Sequence, residues 1–326
     1  MTQKKKKIFS VEESLPDLSG MFNNISASPN PKQITIEKAL TIILRQMEVS
    51  GNRERTISDY HLHVSHFKES EELTYLHEIT YKSIHSWLGN MDVSAQTRLT
   101  RLKCLKAFLS RCFDNGWFES KFWKNVKVKV DNKVKEGATD QEIKILLSLL
   151  DLTDFVQLRD ATALLLMYKT GMRVGTLVNL KEEHVDFNGE LLRLSGEIVK
   201  NREPLLLPFD ETLAQLLSVL VNKNAEIRRA YKKDNKFVFL TKYGNQIATG
   251  PSNNNIQKRL NRYAREYGLK NINPHALRRG FAKSLLEKGA NLTDISRALG
   301  HSDLSVTTKY LYLDKNEVAE NLRRFL

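Results

Sequence analysis

Between Pro31 and Pro204 the chain contains no proline. Proline removes a backbone donor and breaks helices, so this whole stretch is open to helix. Its apolar residues recur at helical spacing, as in Ile36, Leu40, Ile43, Leu44 and Met47. The same spacing predicts helices near 53–68, 79–89 and 94–114, the last carrying Leu99, Leu102, Leu105, Ala107, Phe108 and Leu109. Together these make a helical domain over 33–130. Ahead of it, residues 1–32 combine a lysine run with Ser, Asn, Gly and Pro16, Pro29 and Pro31. Such a composition resists packing and reads as a flexible basic arm, either a solvated tail or one that grips a polyanion.

The segment KVKVKVDNKVKEGATDQE, 127–142, replaces the helical pattern with alternating Lys and Val and then a glycine. It reads as a connection between domains, placed at 131–139, with a second domain over 140–326. Thr139 followed by Glu142 is a capping box that starts a new helix. A helix over 155–170 ends at Gly171, which suits a left-handed cap. Asn188-Gly189, between Val185–Phe187 and Leu191–Leu194, signals a hairpin, and Pro204 to Pro208 adds a further strand at a sheet edge. Helices follow near 210–230, 252–267, 275–288, 293–299, 303–311 and 315–325. The expected fold is mainly α with a small, three-stranded antiparallel sheet.

Lys and Arg total 51 against 38 Asp and Glu, a formal net charge of +13 that favours a polyanionic partner. Hydrophobic residues at 41% and charged residues at 27% belong to a folded chain rather than a disordered one. Cys104 and Cys112 are the only cysteines and form no ligand spacing, and His61, His63, His66 and His77 lack acidic or Cys partners at such spacing. Neither a disulfide framework nor a metal site is expected, and those histidines read as surface residues. The longest apolar stretch, Ala161 to Tyr168, falls far short of the roughly 20 residues of a membrane span. MTQKKKKIFSVEES has no apolar region behind its lysines, so no secretory signal is read and a cytoplasmic, nucleoid-associated protein is expected.

Positive charge gathers on two predicted helices. Arg98, Arg101, Lys103, Lys106 and Arg111 lie on 94–114, and Lys258, Arg259, Arg262, Arg265 and Lys270 lie on 255–270 against Glu266 alone. Each helix reads either as a solvated face or as a face set against double-stranded DNA, where phosphate contacts dominate affinity. The residues expected to touch DNA are Arg98, Arg101, Lys103, Lys106, Lys258, Arg259, Arg262 and Arg265.

The remaining polar inventory is chemical. Thr170-Gly171-Met172-Arg173 and Lys200 lie upstream of His275-Ala276-Leu277-Arg278, Leu299-Gly300-His301 and Tyr310. Arginines give phosphate a bidentate, permanently charged clamp. A tyrosine can act as nucleophile where its proton is handled by a base or a positive field, and histidine and lysine can move protons. Two arginines, two histidines, a lysine and a tyrosine without a metal site suit metal-free phosphodiester chemistry, and no cofactor is expected.

In this order the residues resemble the tyrosine recombinase, or phage integrase, family over nearly the whole chain after the tail. TGMRVGTLVNL is similar to the family's first arginine box, HALRRGFAKSLLEKG to its His-x-x-Arg box, and LGHSDLSVTTKYLYL to its Gly-His and nucleophile segment. SAQTRLTRLKCLKAFLSRCFDNGWFES is similar to part of its helical, SAM-like core-binding domain. The resemblance implies that this domain and a mixed α/β catalytic-type domain close on DNA as a C-shaped clamp. It implies that Arg173 and Arg278 hold the scissile phosphate, that His301 adds a third hydrogen bond, and that Tyr310 is the nucleophile, with Tyr312 the alternative hydroxyl. Lys200 would be the general acid, with Arg202 close by, and His275 would assist proton transfer unless it merely caps the helix after Pro274. Arg279 would meet DNA backbone or an acidic neighbour. The resemblance further implies a 3′-phosphotyrosyl intermediate and a homo-oligomer, dimer or tetramer, on paired sites, with an accessory DNA-bending or directionality protein as a further partner. The terminal stripe Val318, Leu322, Phe325 and Leu326 would dock on a neighbouring protomer or pack in cis.

One position departs from the family. Three residues after the first arginine, where an acidic side chain is common, stands Thr176, which can hydrogen-bond but brings no charge. Two functions therefore stay open: site-specific integration or excision of a phage or other mobile element, and a prophage repressor or regulator that keeps the scaffold without strand exchange.

Overall fold

The computed structural model describes residues 34–131, 135–248, 255–301, 307–308 and 323. The expected arm at 1–32, Tyr310 and Tyr312, and the stripe Val318, Leu322, Phe325 and Leu326 lie outside the described residues. The described residues divide into two compact units on either side of 132–134.

The first unit is helical: α1 (Ile36–Val49), α2 (Glu54–Ser70), α3 (Tyr81–Gly89) and α4 (Ala95–Asp114). Side-chain caps set three of the starts. Thr35 accepts from Lys38 N, Thr80 from Ser83 N and Ser94 from Thr97 N. Ile36, Ala39, Ile43 and Met47 of α1 meet Val64 and Phe67 of α2, Trp87 of α3, and Leu105 and Phe108 of α4 in one core that Trp117 and Trp123 close. Lys106, half-buried on α4, donates to the carbonyls of Lys124 and Val126 at 2.9 and 3.0 Å.

The second unit is built round α6 (Phe155–Thr170), against which α8 (Glu211–Tyr231), α9 (Asn255–Glu266) and α10 (Pro274–Glu287) pack. Packing from several sides explains why α6 buries nearly every residue from Leu158 to Met167, Arg159 and Asp160 included. The other elements are α5 (Asp140–Leu149), the single turn α7 (Val174–Leu177), the strands β1 (Val185–Asp186), β2 (Leu191–Leu194) and β3 (Leu205–Pro208), and α11 (Leu292–Ala298). The sheet is antiparallel in the order β1-β2-β3, with Asp186 opposite Leu191 and Leu194 opposite Leu205, and Pro208 ends an edge strand as expected. Leu192, Leu194 and Leu207 turn into the core.

Asn188-Gly189 makes its hairpin, yet the left-handed residue is Glu190 (φ 51°). Gly189 serves by lacking a side chain, since a Cβ there would stand 2.8 Å from Asp186 Oδ2, whose partner oxygen Oδ1 accepts from Gly189 N.

The expected connection at 131–139 needs correction at its far end. Gly137 and Ala138 belong to the second unit, where Ala138 N donates to Ala276 O at 2.9 Å and Ala138 is buried. A Cβ on Gly137 would stand 2.6 Å from Gly280 N, so two glycines distant in sequence let this segment cross α10 in backbone contact. Thr139 and Glu142 form the expected capping box, and Glu142 Oε1 also accepts from Asn271 N at 3.0 Å, tying α5 to the entry of α10.

Candidate active site

The site is assembled from chain turns at the ends of helices. α6 ends at Gly171, left-handed at φ 64°, where a Cβ would overlap the Phe281 ring of α10. The chain then turns immediately into α7, placing Arg173 at its N-cap position. From α10, Arg278 reaches back into this turn, its Nη1 donating to Gly171 O at 2.6 Å. Its Nη2 donates to Leu299 O and stands 2.9 Å from His301 Nε2. Arg278 is only 3% exposed. Arg173 directs both terminal nitrogens to Gly300 O at 3.4 and 3.5 Å. Arg173, Arg278 and His301 are thus brought together, though 128 residues of sequence, 173 to 301, separate the first from the last.

The electrostatics follow from that convergence. Burial, then the charges of Arg278 and Arg173, pull the His301 pKa down to about 4. A guanidinium only donates, so Nε2 of His301 holds a lone pair and Nδ1 carries the proton. Thr307 Oγ1, wholly buried, stands 2.9 Å from Nδ1 and accepts it. No motif marks Thr307; its place six residues beyond His301 in LGHSDLSVTTKYLYL is the only local signal.

His275 lies one turn before Arg278 on α10 and is not the helix cap. Asn273 caps the helix by accepting from Ala276 N, while Pro274 occupies the first turn. Burial lowers the pKa of His275, and Arg279, Arg278, Lys135 and Arg173 lower it further. Arg279 Nε donates to the Glu136 carbonyl at 2.8 Å.

Lys200 is exposed in the connection between β2 and β3, residues 195–204. That connection touches the Gly300 segment, since a Cβ on Gly300 would stand 3.8 Å from both Arg173 Nη1 and the Asn201 side-chain amide. Thr176, buried on α7, donates its hydroxyl to Ile198 O at 3.2 Å, two residues before Lys200. The residue that departs from the family pattern therefore anchors the turn that carries the candidate acid.

The DNA-facing expectations divide. Lys103 is exposed on α4 and Lys258 on α9, and Arg262 and Arg265 are exposed with local partners, Glu266 at 3.4 Å and Asn261 O at 3.4 Å. Lys106 and Arg259 instead have partners within the protein. Lys106 is held by two carbonyls, and burial lowers its pKa. Arg259 is paired with the Asp160 carboxylate and hydrogen-bonded to Tyr263 Oη. Asp160 also takes Arg159 at 2.7 Å and Tyr263 Oη at 2.9 Å, a buried network no sequence motif announced. Arg98 donates to Met91 O at 2.9 Å, and Arg101 Nη1 stands 3.1 Å from His66 Nε2. His66 is accordingly half-buried against Arg101 rather than a loose surface residue.

Among the described residues, no three His, Cys, Asp or Glu side chains stand close enough to share a metal ion, and no helix is long and apolar enough to cross a membrane.

Residues 138–317 match the model of the phage integrase family. Tyrosine recombinase XerD of Staphylococcus epidermidis is 29% identical over 306 residues, covering 89% of this chain and 97% of that protein. Tyrosine recombinase XerC of Chlamydia caviae is 29% identical over 215 residues, covering 65% of this chain and 66% of that one. Among solved structures, the Tn1549 transposon integrase in complex with a circular intermediate DNA shares the fold, with a TM-score of 0.69, 17% identity and coverage of 90% of this chain and all of that chain (100%). So does XerH recombinase bound to palindromic difH substrate, with a TM-score of 0.65, 19% identity and coverage of 88% and 84%.

Proposed function

Since the chain belongs to the phage integrase family of tyrosine recombinases, we propose that it binds double-stranded DNA and cuts and rejoins it at specific sites through Tyr310. The observation that carries this reading is the convergence of Arg173, Arg278 and His301 on two facing turns, where burial first and then the two arginine charges hold His301 neutral to about pH 4. Fixed cationic donors in a partly desolvated site stabilise the charge that develops on a phosphodiester in its pentacovalent transition state.

In the proposed step, Tyr310 Oη, having lost its proton, attacks phosphorus, the bond from phosphorus to the 5′ oxygen breaks, and Lys200 protonates that leaving oxygen. The product is a 3′-phosphotyrosine and a free 5′ hydroxyl. Attack by a 5′ hydroxyl of the partner strand reverses the step, so no nucleotide is consumed. His275, beside both arginines, assists proton transfer. Lys103, Lys258, Arg262 and Arg265, with Arg98 and Arg101, supply backbone contacts. A homo-oligomer on paired sites, an accessory DNA-bending protein and a phage or mobile-element setting complete the proposal.

One observation supports a second reading, a repressor that binds DNA without cleaving it. Arg278 Nη2 already donates to Leu299 O and meets His301 Nε2, so a phosphate gains that nitrogen only by displacing one of them. One experiment separates the two. Protein is mixed with sheared DNA of its host, one half is crosslinked with formaldehyde and the other quenched with SDS, with Tyr310→Phe in parallel. One locus recovered in both halves, and lost from the SDS half in Tyr310→Phe, supports the recombinase. Recovery in the crosslinked half alone supports the repressor, and recovery in neither overturns both.

A further inference from the structure

In the first unit three hydrogen-bond donors converge on one imidazole. Trp87 Nε1 lies 3.0 Å from His66 Nδ1, and Ser70 Oγ lies 3.4 Å from the same nitrogen. On the other side of the ring Arg101 Nη1 stands 3.1 Å from Nε2. An indole N–H and a guanidinium only donate, whereas a neutral imidazole offers one lone pair. The Trp87 and Arg101 contacts therefore cannot both be hydrogen bonds.

Burial decides between them. Trp87 is 1% exposed, and a buried indole N–H keeps its acceptor. His66 thus has its lone pair on Nδ1 and its proton on Nε2, and that N–H faces the Arg101 guanidinium, donor against donor. Arg101 Nε is enclosed as well and has no partner among the described residues. Asp59, the carboxylate nearly two turns earlier on α2, is already paired with Arg55 at 3.0 Å. A group that accepts from both sides satisfies this arrangement, and the guanidinium charge favours an anionic oxygen.

We propose that Arg101 and His66 form a subsite for one phosphodiester of the DNA backbone, with Trp87 fixing the His66 tautomer that makes the ring a donor. The proposal rests on the reading that this chain binds duplex DNA. It assigns His66 a role in positioning and affinity, not in base recognition.

Binding of full-length protein to a mixed-sequence duplex, followed across salt concentrations, tests it. Arg101→Ala should weaken binding about tenfold and reduce the slope of log K against log salt by about one. Arg101→Lys should restore the slope but only part of the affinity, because it lacks the forked donors. His66→Asn keeps an acceptor for Trp87 while removing the Nε2 donor, and should cost affinity several-fold without changing the melting temperature. With Arg101→Ala already present, His66→Asn should add little, the non-additivity of a shared ligand. Unchanged affinity in Arg101→Ala, or strictly additive losses, would overturn the subsite while leaving DNA binding intact. A wild-type protein that shows no salt-dependent duplex binding would overturn the underlying reading instead.

Discussion

Arg278 Nη2 stands 2.9 Å from His301 Nε2, and this contact dictates where the imidazole proton sits. With Nε2 accepting, Nδ1–H is donated to Thr307, so an arginine on one helix sets the hydrogen-bonding state of a histidine 23 residues further along the chain. The nitrogen nearest Arg278 is consequently an acceptor, and it becomes a donor to phosphate only by protonation or a change of tautomer.

This pairing makes stability depend on pH in a defined direction. His301 titrates near 6.5 when unfolded and near 4 when folded, so between those values the unfolded chain holds the extra proton. The contribution is complete above about pH 6.5 and is lost as pH falls toward about 4. The melting-temperature difference between wild type and His301→Gln should therefore shrink from pH 7.5 to 4.5. A difference constant across that range would contradict the assignment, as would a nitrogen-15 spectrum showing the His301 proton on Nε2.

Gly171→Ala should be severely destabilising, by about 2–4 kcal/mol. The added Cβ meets both a left-handed backbone, φ 64°, and the Phe281 ring, and the same residue's carbonyl holds Arg278. Urea unfolding measures the loss, and a change below about 0.5 kcal/mol would show that the turn relaxes freely.

Asp160→Asn should cost about 3–5 kcal/mol, because it leaves the buried Arg159, 3% exposed, without its counter-charge. Arg259→Ala should cost less, since that side chain is partly solvent-exposed. Chemical denaturation of both variants gives the order, and the reverse order would mean that Arg259 rather than Asp160 centres the network.

Thr176→Val keeps the shape of the side chain and removes its hydrogen bond to Ile198 O. The expected loss is about 1 kcal/mol of stability. On the proposed function it also slows formation of the covalent DNA adduct, because Lys200 sits two residues beyond Ile198, while duplex affinity is unchanged. Single-turnover trapping alongside a binding isotherm distinguishes this from a general loss of folded protein.

The helices of this protein were legible because their signals are local. Thr139 and Glu142 lie three residues apart, Gly171 ends a helix by its own backbone, and the apolar stripe from Ile36 to Met47 repeats within one element. The far end of the connection at 131–139 is not legible, for the opposite reason. The KVKV alternation carries no sign that Gly137 meets Gly280 on a distant helix.

The candidate site divides in the same way. Arg173, Arg278 and His301 stood out as residue types in three short boxes, and the fold brings them together. Whether a basic residue faces solvent or the interior has no local signature. Arg259 and Arg262 lie on one helix three residues apart, yet the first is claimed by Asp160, 99 residues earlier, and the second pairs with Glu266 on its own surface turn. The order of elements, caps such as Thr139 and Gly171 and the chemistry available follow from the chain itself, since these depend on neighbours in sequence. Which arginines are engaged within the scaffold, which nitrogen of His301 holds the proton and what Thr176 grips are set by folding, since hydrogen bonds form between atoms about 3 Å apart in space wherever they lie along the chain.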